Sequence, residues 1–305
     1  METKDKYEVN NCDICGIRTQ TKVFSVNAEF DILKCNYCNL CWTSPRLSQE
    51  NLINEYAKNT ADIIASKEYI EEYLIPVENQ KEDIINNLKL SPGGYVLDVG
   101  CGEGEFLLRM QKRGFLTVGI DSFKLAVEIA KAKGLNIIYG DVEEILDEDI
   151  FFKHNQMDII TLWHVLEHLP SPSRILQKLN KILKENGLVI IAVPNFASIQ
   201  AMLFKEDWFA LRIPQHLYHF SPNSLYKLCN KTGFTILNCF PALPVHATAS
   251  FINSCVSKIK KYKKRNIAKY LFYRSLIPLT PIFISIENIL KKMSAMCLIA
   301  QKVSK

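Results

Sequence analysis

The sequence predicts an α/β fold, a seven-stranded and mostly parallel sheet with helices on both faces, preceded by a small cysteine-bound module. Three observations carry that expectation. From residue 95 onward short apolar runs alternate with segments of helical periodicity. A glycine-rich turn stands where the first of those runs gives way to a helix, and two Cys-x-x-Cys pairs lie near the start of the chain.

Taken in order, Tyr95 to Val99 reads as a buried core strand. Gly100, Gly102 and Gly104 alternate through the following turn, and Glu103 to Lys112 carries Phe106, Leu107 and Met110 at helical spacing. Missing side chains let a ligand lie against such a backbone. The second strand, Leu116 to Ile120, ends in Asp121, an acid placed to accept hydrogen bonds from both hydroxyls of a ribose. Its alternative role is to cap a helix starting at Ser122. A third strand, Asn136 to Tyr139, ends in Gly140-Asp141-Val142, where a carboxylate and a backbone amide suit an adenine. Met157 to Trp163 is the fourth strand and leads into His164-Val165-Leu166-Glu167-His168-Leu169-Pro170. A helix over Pro172 to Glu185, with Ser171 as N-cap and Gly187 past its end, precedes the fifth strand, Leu188 to Val193. A helix over Pro222 to Lys231, capped by Ser221 and closed by Gly233, precedes the sixth, Phe234 to Phe240, and Met296 to Gln301 reads as the last.

The G-x-G-x-G turn, the acid ending the second strand, the Gly-Asp pair after the third and the HVLEHLP segment after the fourth stand in one order. In that order they resemble the class I S-adenosylmethionine-dependent methyltransferases. The resemblance implies a Rossmann-like sheet whose last strand runs antiparallel beside the fifth. It also implies S-adenosylmethionine as cofactor, held by Asp98, Gly100, Gly102, Gly104, Asp121, Asp141 and Val142, with Asp98 toward its amino-acid end. A dinucleotide turn reads G-x-G-x-x-G and aims a helix dipole at a pyrophosphate. Here Glu105 follows the turn, an anion that repels phosphates but tolerates a cofactor cationic at sulfur.

Met1 to Asn11 is polar and lacks an apolar run, so a cytoplasmic, reducing setting is expected. There, clustered thiols among the 10 cysteines bind metal more readily than they form disulfides. Cys12, Cys15, Cys35 and Cys38 form two pairs separated by 19 residues, the donor set of a closed tetrahedral zinc site that leaves no position for catalytic water. Cys41 is expected in a small strand, Leu40-Cys41-Trp42. Arg18, Lys22 and Lys34 are offset by Asp13, Glu29 and Asp31, so this module presents no basic face for nucleic acid.

The chain thus divides into a zinc-ribbon module over 1–45, a helical linker or lid over 46–92, and a cofactor-binding domain over 93–305 with inserts at 195–220 and 241–294. Helices are expected over Asn51 to Lys58 and over Lys67 to Leu90, interrupted at Pro76. Tyr56, Tyr69 and Tyr73 either lid the cofactor or pack on the sheet.

The first insert holds Trp208, Phe209, Arg212 and the segment Pro214 to Ser221, which resembles one found in sugar and ubiquinone-biosynthesis-like methyltransferases. Zinc-bearing C-methyltransferases of nucleotide sugars carry Glu-His-x-x-Tyr-Phe there, whereas this chain has Gln215 in place of the acid. Carbon methylation needs a base able to form an enolate; hydroxyl methylation needs in-line positioning and one proton acceptor. O-methylation of a sugar, glycan or lipid-linked acceptor is therefore expected, with His216 as base and His168 second. Sugar C-methylation is the alternative within enzymes, and an inactive binding protein the alternative outside them. His164 and His168 are expected four residues apart on one helix; the H-E-x-x-H zinc motif is not met. His168 also has a reading as a histidine held within the cofactor loop.

The second insert carries Lys258, Lys260, Lys261, Lys263, Lys264 and Arg265 without an intervening acid, then an apolar stretch from Leu276 to Ile286 broken by Pro278 and Pro281. It is too short to span a bilayer. Peripheral contact with an anionic membrane through 258–290 and packing on the domain or a twin subunit are both open.

Overall fold

The computed structural model describes residues 6–7, 11–48, 51–52, 55, 75–88, 90, 92–148, 151–241, 244–258, 278 and 280–303. In chain order the elements begin with β1 (Lys6–Tyr7), β2 (Gln20–Ser25), β3 (Asp31–Cys35), β4 (Cys41–Ser44) and β5 (Arg46–Leu47). Next come α1 (Ile75–Asn86), β6 (Tyr95–Val99), α2 (Glu105–Lys112), β7 (Leu116–Asp121), α3 (Lys124–Ala132), β8 (Ile137–Tyr139) and α4 (Val142–Ile145). They continue with β9 (Met157–Trp163), α5 (Pro172–Ile182), β10 (Leu183–Pro194), α6 (Ile199–Phe204), β11 (Tyr218–His219) and α7 (Pro222–Lys231). The last are β12 (Phe234–Pro241), α8 (Pro244–Lys258), α9 (Thr280–Ile289) and β13 (Ala295–Lys302). The chain forms two compact units, one of residues 59–192, 226–239 and 297–305, the other of 1–58, 193–225 and 240–296.

The first unit is built on a seven-stranded sheet of order β12-β13-β10-β9-β6-β7-β8. The pairs β6/β7, β7/β8, β6/β9 and β9/β10 are parallel. A strand paired on both edges and covered on both faces must be apolar along its length, and Val96, Leu97 and Val99 of β6 are buried accordingly. Helix α2 buries Phe106, Leu107 and Met110, and α5 buries Ile175, Leu176, Leu179 and Ile182, each a single apolar stripe. From β6 the chain winds outward through β7 and β8, then returns to lay β9 on the other side of β6. In open α/β sheets ligands bind at the carboxyl ends of the strands flanking such a reversal, here β6 and β9.

Pro76 is the second residue of α1, where a missing N–H loses no helical hydrogen bond; the part of the expected helix before it, from Lys67, lies outside the described residues. Two local expectations change. Helix α5 stops at Ile182, before the expected Glu185, because Leu183 already pairs with Met157; the ladder breaks and resumes at Leu188 opposite Ile159. Nor do His164 and His168 share a helix. His164 is left-handed (φ 57°), its N–H held by the Ala192 carbonyl, and only one 3-10 turn, Leu166–His168, fits before Pro170 forces Leu169 to extend.

In the second unit, β11-β4-β3-β2 form one sheet and β1 pairs with β5. Cys41 lies in β4, paired back on Lys34 as expected. The cysteine module and the inserts share an apolar cluster of Ile32, Cys41, Ala201, Phe204, Trp208 and Leu211. The helices are tied by Gln200 Nε2, which donates to the Ala247 carbonyl (3.0 Å) and to Glu287 Oε2 (3.4 Å), and by Phe251 stacked on Phe283. Tyr56, Tyr69, Tyr73, Lys260, Lys261, Lys263, Lys264 and Arg265 lie outside the described residues, as does the side chain of Lys258. No helix among the described residues is long and apolar enough to cross a membrane.

Candidate cofactor and metal sites

The turn after β6 is stapled to the end of β7, with Gly100 N and Cys101 N both donating to the Ile120 carbonyl. Gly100, Gly102 and Gly104 all have positive φ. Gly102 is the informative one. A Cβ there would meet nothing within 4 Å, so the left-handed backbone demands glycine while its face stays open to a ligand. Its N–H donates to Asp121 Oδ2 (2.8 Å), and Phe123 N donates to Oδ1 (2.7 Å). Asp121 therefore both supports the start of α3 and braces the glycine turn. Burial raises its pKa.

Asp98 is 2% exposed and accepts from Thr161 Oγ1 at 2.6 Å. Burial lifts its pKa to about 7 against the opposing Lys81 ammonium. Lys81 and its partner Glu78 (2.6 Å) lie on α1, with the Lys81 ammonium 5.7 Å from the centre of the Trp163 ring. Glu78 is 3% exposed, and among the described residues its Oε2 has no hydrogen-bond partner. Sequence reasoning missed this pair. Its only signal was opposite charge at i,i+3 in a segment read as linker.

Asp141 Oδ1 accepts from Glu143 N (2.7 Å) and Glu144 N (3.3 Å), capping α4, whose first residue is the buried Val142. His168 is half-buried on its 3-10 turn. His164 Nδ1 lies 3.3 Å from Glu167 Oε1.

In the other unit, the thiol sulfurs of Cys12, Cys15, Cys35 and Cys38 all lie within 4.8 Å of one another. Cys12 approaches Cys38 at 3.2 Å and Cys15 approaches Cys35 at 3.5 Å, without disulfides. Zinc–sulfur bonds of about 2.3 Å place tetrahedral sulfurs about 3.8 Å apart, so the donor set fits. Cys41 is outside this cluster, and burial pushes its thiol up to about 12. His216 is 3% exposed; its N–H donates to the Arg212 carbonyl (3.0 Å) and its carbonyl accepts from Thr43 Oγ1 (2.8 Å). Gln215 is also buried and donates to the Glu55 carbonyl.

The profile of a family described as "Methyltransferase domain" matches residues 67–238. The chain is 32% identical over 154 residues to a ubiquinone biosynthesis O-methyltransferase of Glaesserella parasuis, covering 47% of this chain and 65% of that one. A Histophilus somni protein of the same name is 38% identical over 106 residues, covering 33% and 44%. The chain thus spans less than two thirds of either relative. A solved S-adenosylmethionine-dependent methyltransferase from Archaeoglobus fulgidus has a similar fold (TM-score 0.53, 19% identity, 81% of this chain and 99% of that one). So does a Haemonchus contortus phosphoethanolamine N-methyltransferase 2 (TM-score 0.52, 16% identity, 80% and 60%). With the glycine turn, its bracing acid and the sheet order in place, the chain belongs to the methyltransferase-domain family of the class I S-adenosylmethionine-dependent methyltransferases.

Proposed function

We propose that the protein transfers a methyl group from S-adenosylmethionine to a hydroxyl of a sugar, glycan or lipid-linked acceptor. The carrying observation is the open face at Gly102 beside an Asp121 whose two oxygens are each anchored by one backbone N–H. Each oxygen keeps lone-pair capacity for a ribose hydroxyl. Asp141 and the Val142 amide take the adenine. Asp98 and Glu78, whose buried Oε2 is unpartnered among the described residues, suit the cofactor's ammonium, and Lys81 its carboxylate. The bound cofactor supplies a methyl group activated by the sulfonium. The chain's part is to orient the acceptor and accept its proton, a role we give to His216, with His168 second. Gln215 cannot serve as a base, which supports oxygen over carbon as the methylated atom, as do the names of the O-methyltransferase relatives.

Cys12, Cys15, Cys35 and Cys38 would hold one structural zinc. Pairing of Lys22 with Asp31 and Lys6 with Glu29 supports the reading without nucleic acid. We place the protein in the cytoplasm, with membrane contact through 258–290 supported by the outward-facing Ile282, Ile286 and Ile289 of α9.

Incubation with S-adenosylmethionine and a panel of nucleotide sugars, glycans and polyprenyl-linked acceptors, read by product mass, tests the reaction. A gain of one methyl on oxygen is expected. A C-methylated product, or none with any acceptor, would contradict it.

The raised pKa of Asp98 adds a pH dependence. Above about 7 the carboxylate is charged and attracts the cationic cofactor; below it, binding must first expel a proton. Affinity for S-adenosylmethionine, measured calorimetrically, should therefore fall from pH 8 to pH 6 by up to about tenfold per unit below 7, and Asp98→Asn should flatten the profile. An unchanged slope in the variant would assign the titration to another group.

A further inference from the structure

The four-stranded sheet closes on β11, where Tyr218 pairs with Trp42 and His219 with Cys41. Beside this ladder Thr43 makes three further bonds to the same segment. Its N–H donates to the Leu217 carbonyl (3.0 Å), its hydroxyl donates to the His216 carbonyl (2.8 Å), and its oxygen lies 3.0 Å from His219 Nε2. A hydroxyl has one proton. Given to His216, it leaves only lone pairs for His219, whose ring must then carry its hydrogen on Nε2. Arg46 adds a bond from Nη2 to the Leu217 carbonyl (3.3 Å) and lies 4.2 Å over the Tyr218 ring. From the other side the Arg212 carbonyl accepts from Gln215 N (2.8 Å) and His216 N (3.0 Å).

The N–H and C=O of His216 are thus both held, so its Cα has a fixed origin from which the imidazole departs. Thr43 is fully buried, and a valine would fill its volume without needing partners. The hydroxyl therefore acts on segment 216–219. We propose that Thr43 is a positioning residue: its hydroxyl, with His219 behind it, holds the His216 main chain so that the imidazole meets the acceptor in one place. The proposal rests on the reading of His216 as proton acceptor.

The test uses the full zinc-loaded chain, with the panel acceptor that the wild type methylates as probe. Thr43→Val should lower kcat about ten- to a hundredfold, with zinc content, S-adenosylhomocysteine affinity and acceptor KM little changed, and Thr43→Ser should restore it. In a His216→Ala background Thr43→Val should have no further effect. Losses that multiply in that background, or full turnover by Thr43→Val where His216→Ala is defective, would overturn the positioning role and leave the base intact. Normal turnover by His216→Ala would remove both. Imidazole nitrogen NMR of the wild type should find His219 neutral with its proton on Nε2 between pH 5 and 8; a proton on Nδ1 would break the hydrogen-bond chain and the proposal with it.

Discussion

His216→Ala should lower turnover by about a hundredfold or more, about 2.7 kcal/mol of transition-state stabilisation, while cofactor affinity stays within about twofold. The asymmetry follows from where the side chain sits. The main-chain bonds of residues 215–217 to Arg212 and Thr43 do not involve the imidazole and remain when it is removed. The carboxylates proposed to hold the cofactor, Asp98, Asp121 and Asp141, belong to a different unit. Loss in kcat without loss in cofactor binding is the signature of a group acting in the transition state. Because His216 is buried, a thermal melt must accompany the kinetics to separate lost chemistry from lost packing. If the variant turns over normally, proton acceptance passes to His168, and His168→Ala becomes the deciding variant.

Cys35→Ser should reduce zinc from one per chain to none and unfold the cysteine module with it. Structural zinc contributes apparent folding free energy of about 10–16 kcal/mol in small zinc modules, far above what the short strands β2 to β4 supply. Cys35 ends β3 and is wholly buried, so a serine there removes a ligand and leaves a polar group with no solvent. Since β11 hydrogen-bonds to β4, ordering of Tyr218–His219 should be lost together with the module. Cys41→Ser should keep its zinc. Metal analysis with hydrogen exchange checks both variants; equal zinc in wild type and Cys35→Ser, or none in either, would defeat the assignment.

The central strands of the sheet were legible because they are buried on both faces and so appear as uninterrupted apolar runs between periodic helices. The strand limits of β6 and β9 match the expected ones for that reason. The glycine turn and Asp121 were legible because backbone conformation restricts which residues can occupy them. What escaped was non-local. Nothing in the neighbourhood of Glu78 and Lys81 announces that α1 brings them to Asp98, whose burial is itself a tertiary effect. The helix expected to carry His164 and His168 failed because periodicity cannot register a left-handed residue at a strand end. Likewise, β11 is two residues long, too short for any pattern, yet it joins a segment near residue 218 to a sheet begun near residue 20.

Whether the carboxyl ends of β6 and β9 hold S-adenosylmethionine is decided by calorimetric titration with its demethylated product. S-adenosylhomocysteine should bind one per chain, and Asp121→Ala should weaken it by about 1–3 kcal/mol through lost charge-assisted hydrogen bonds to the ribose. Preferential binding of a nicotinamide dinucleotide, with no heat from S-adenosylhomocysteine, would overturn the cofactor assignment.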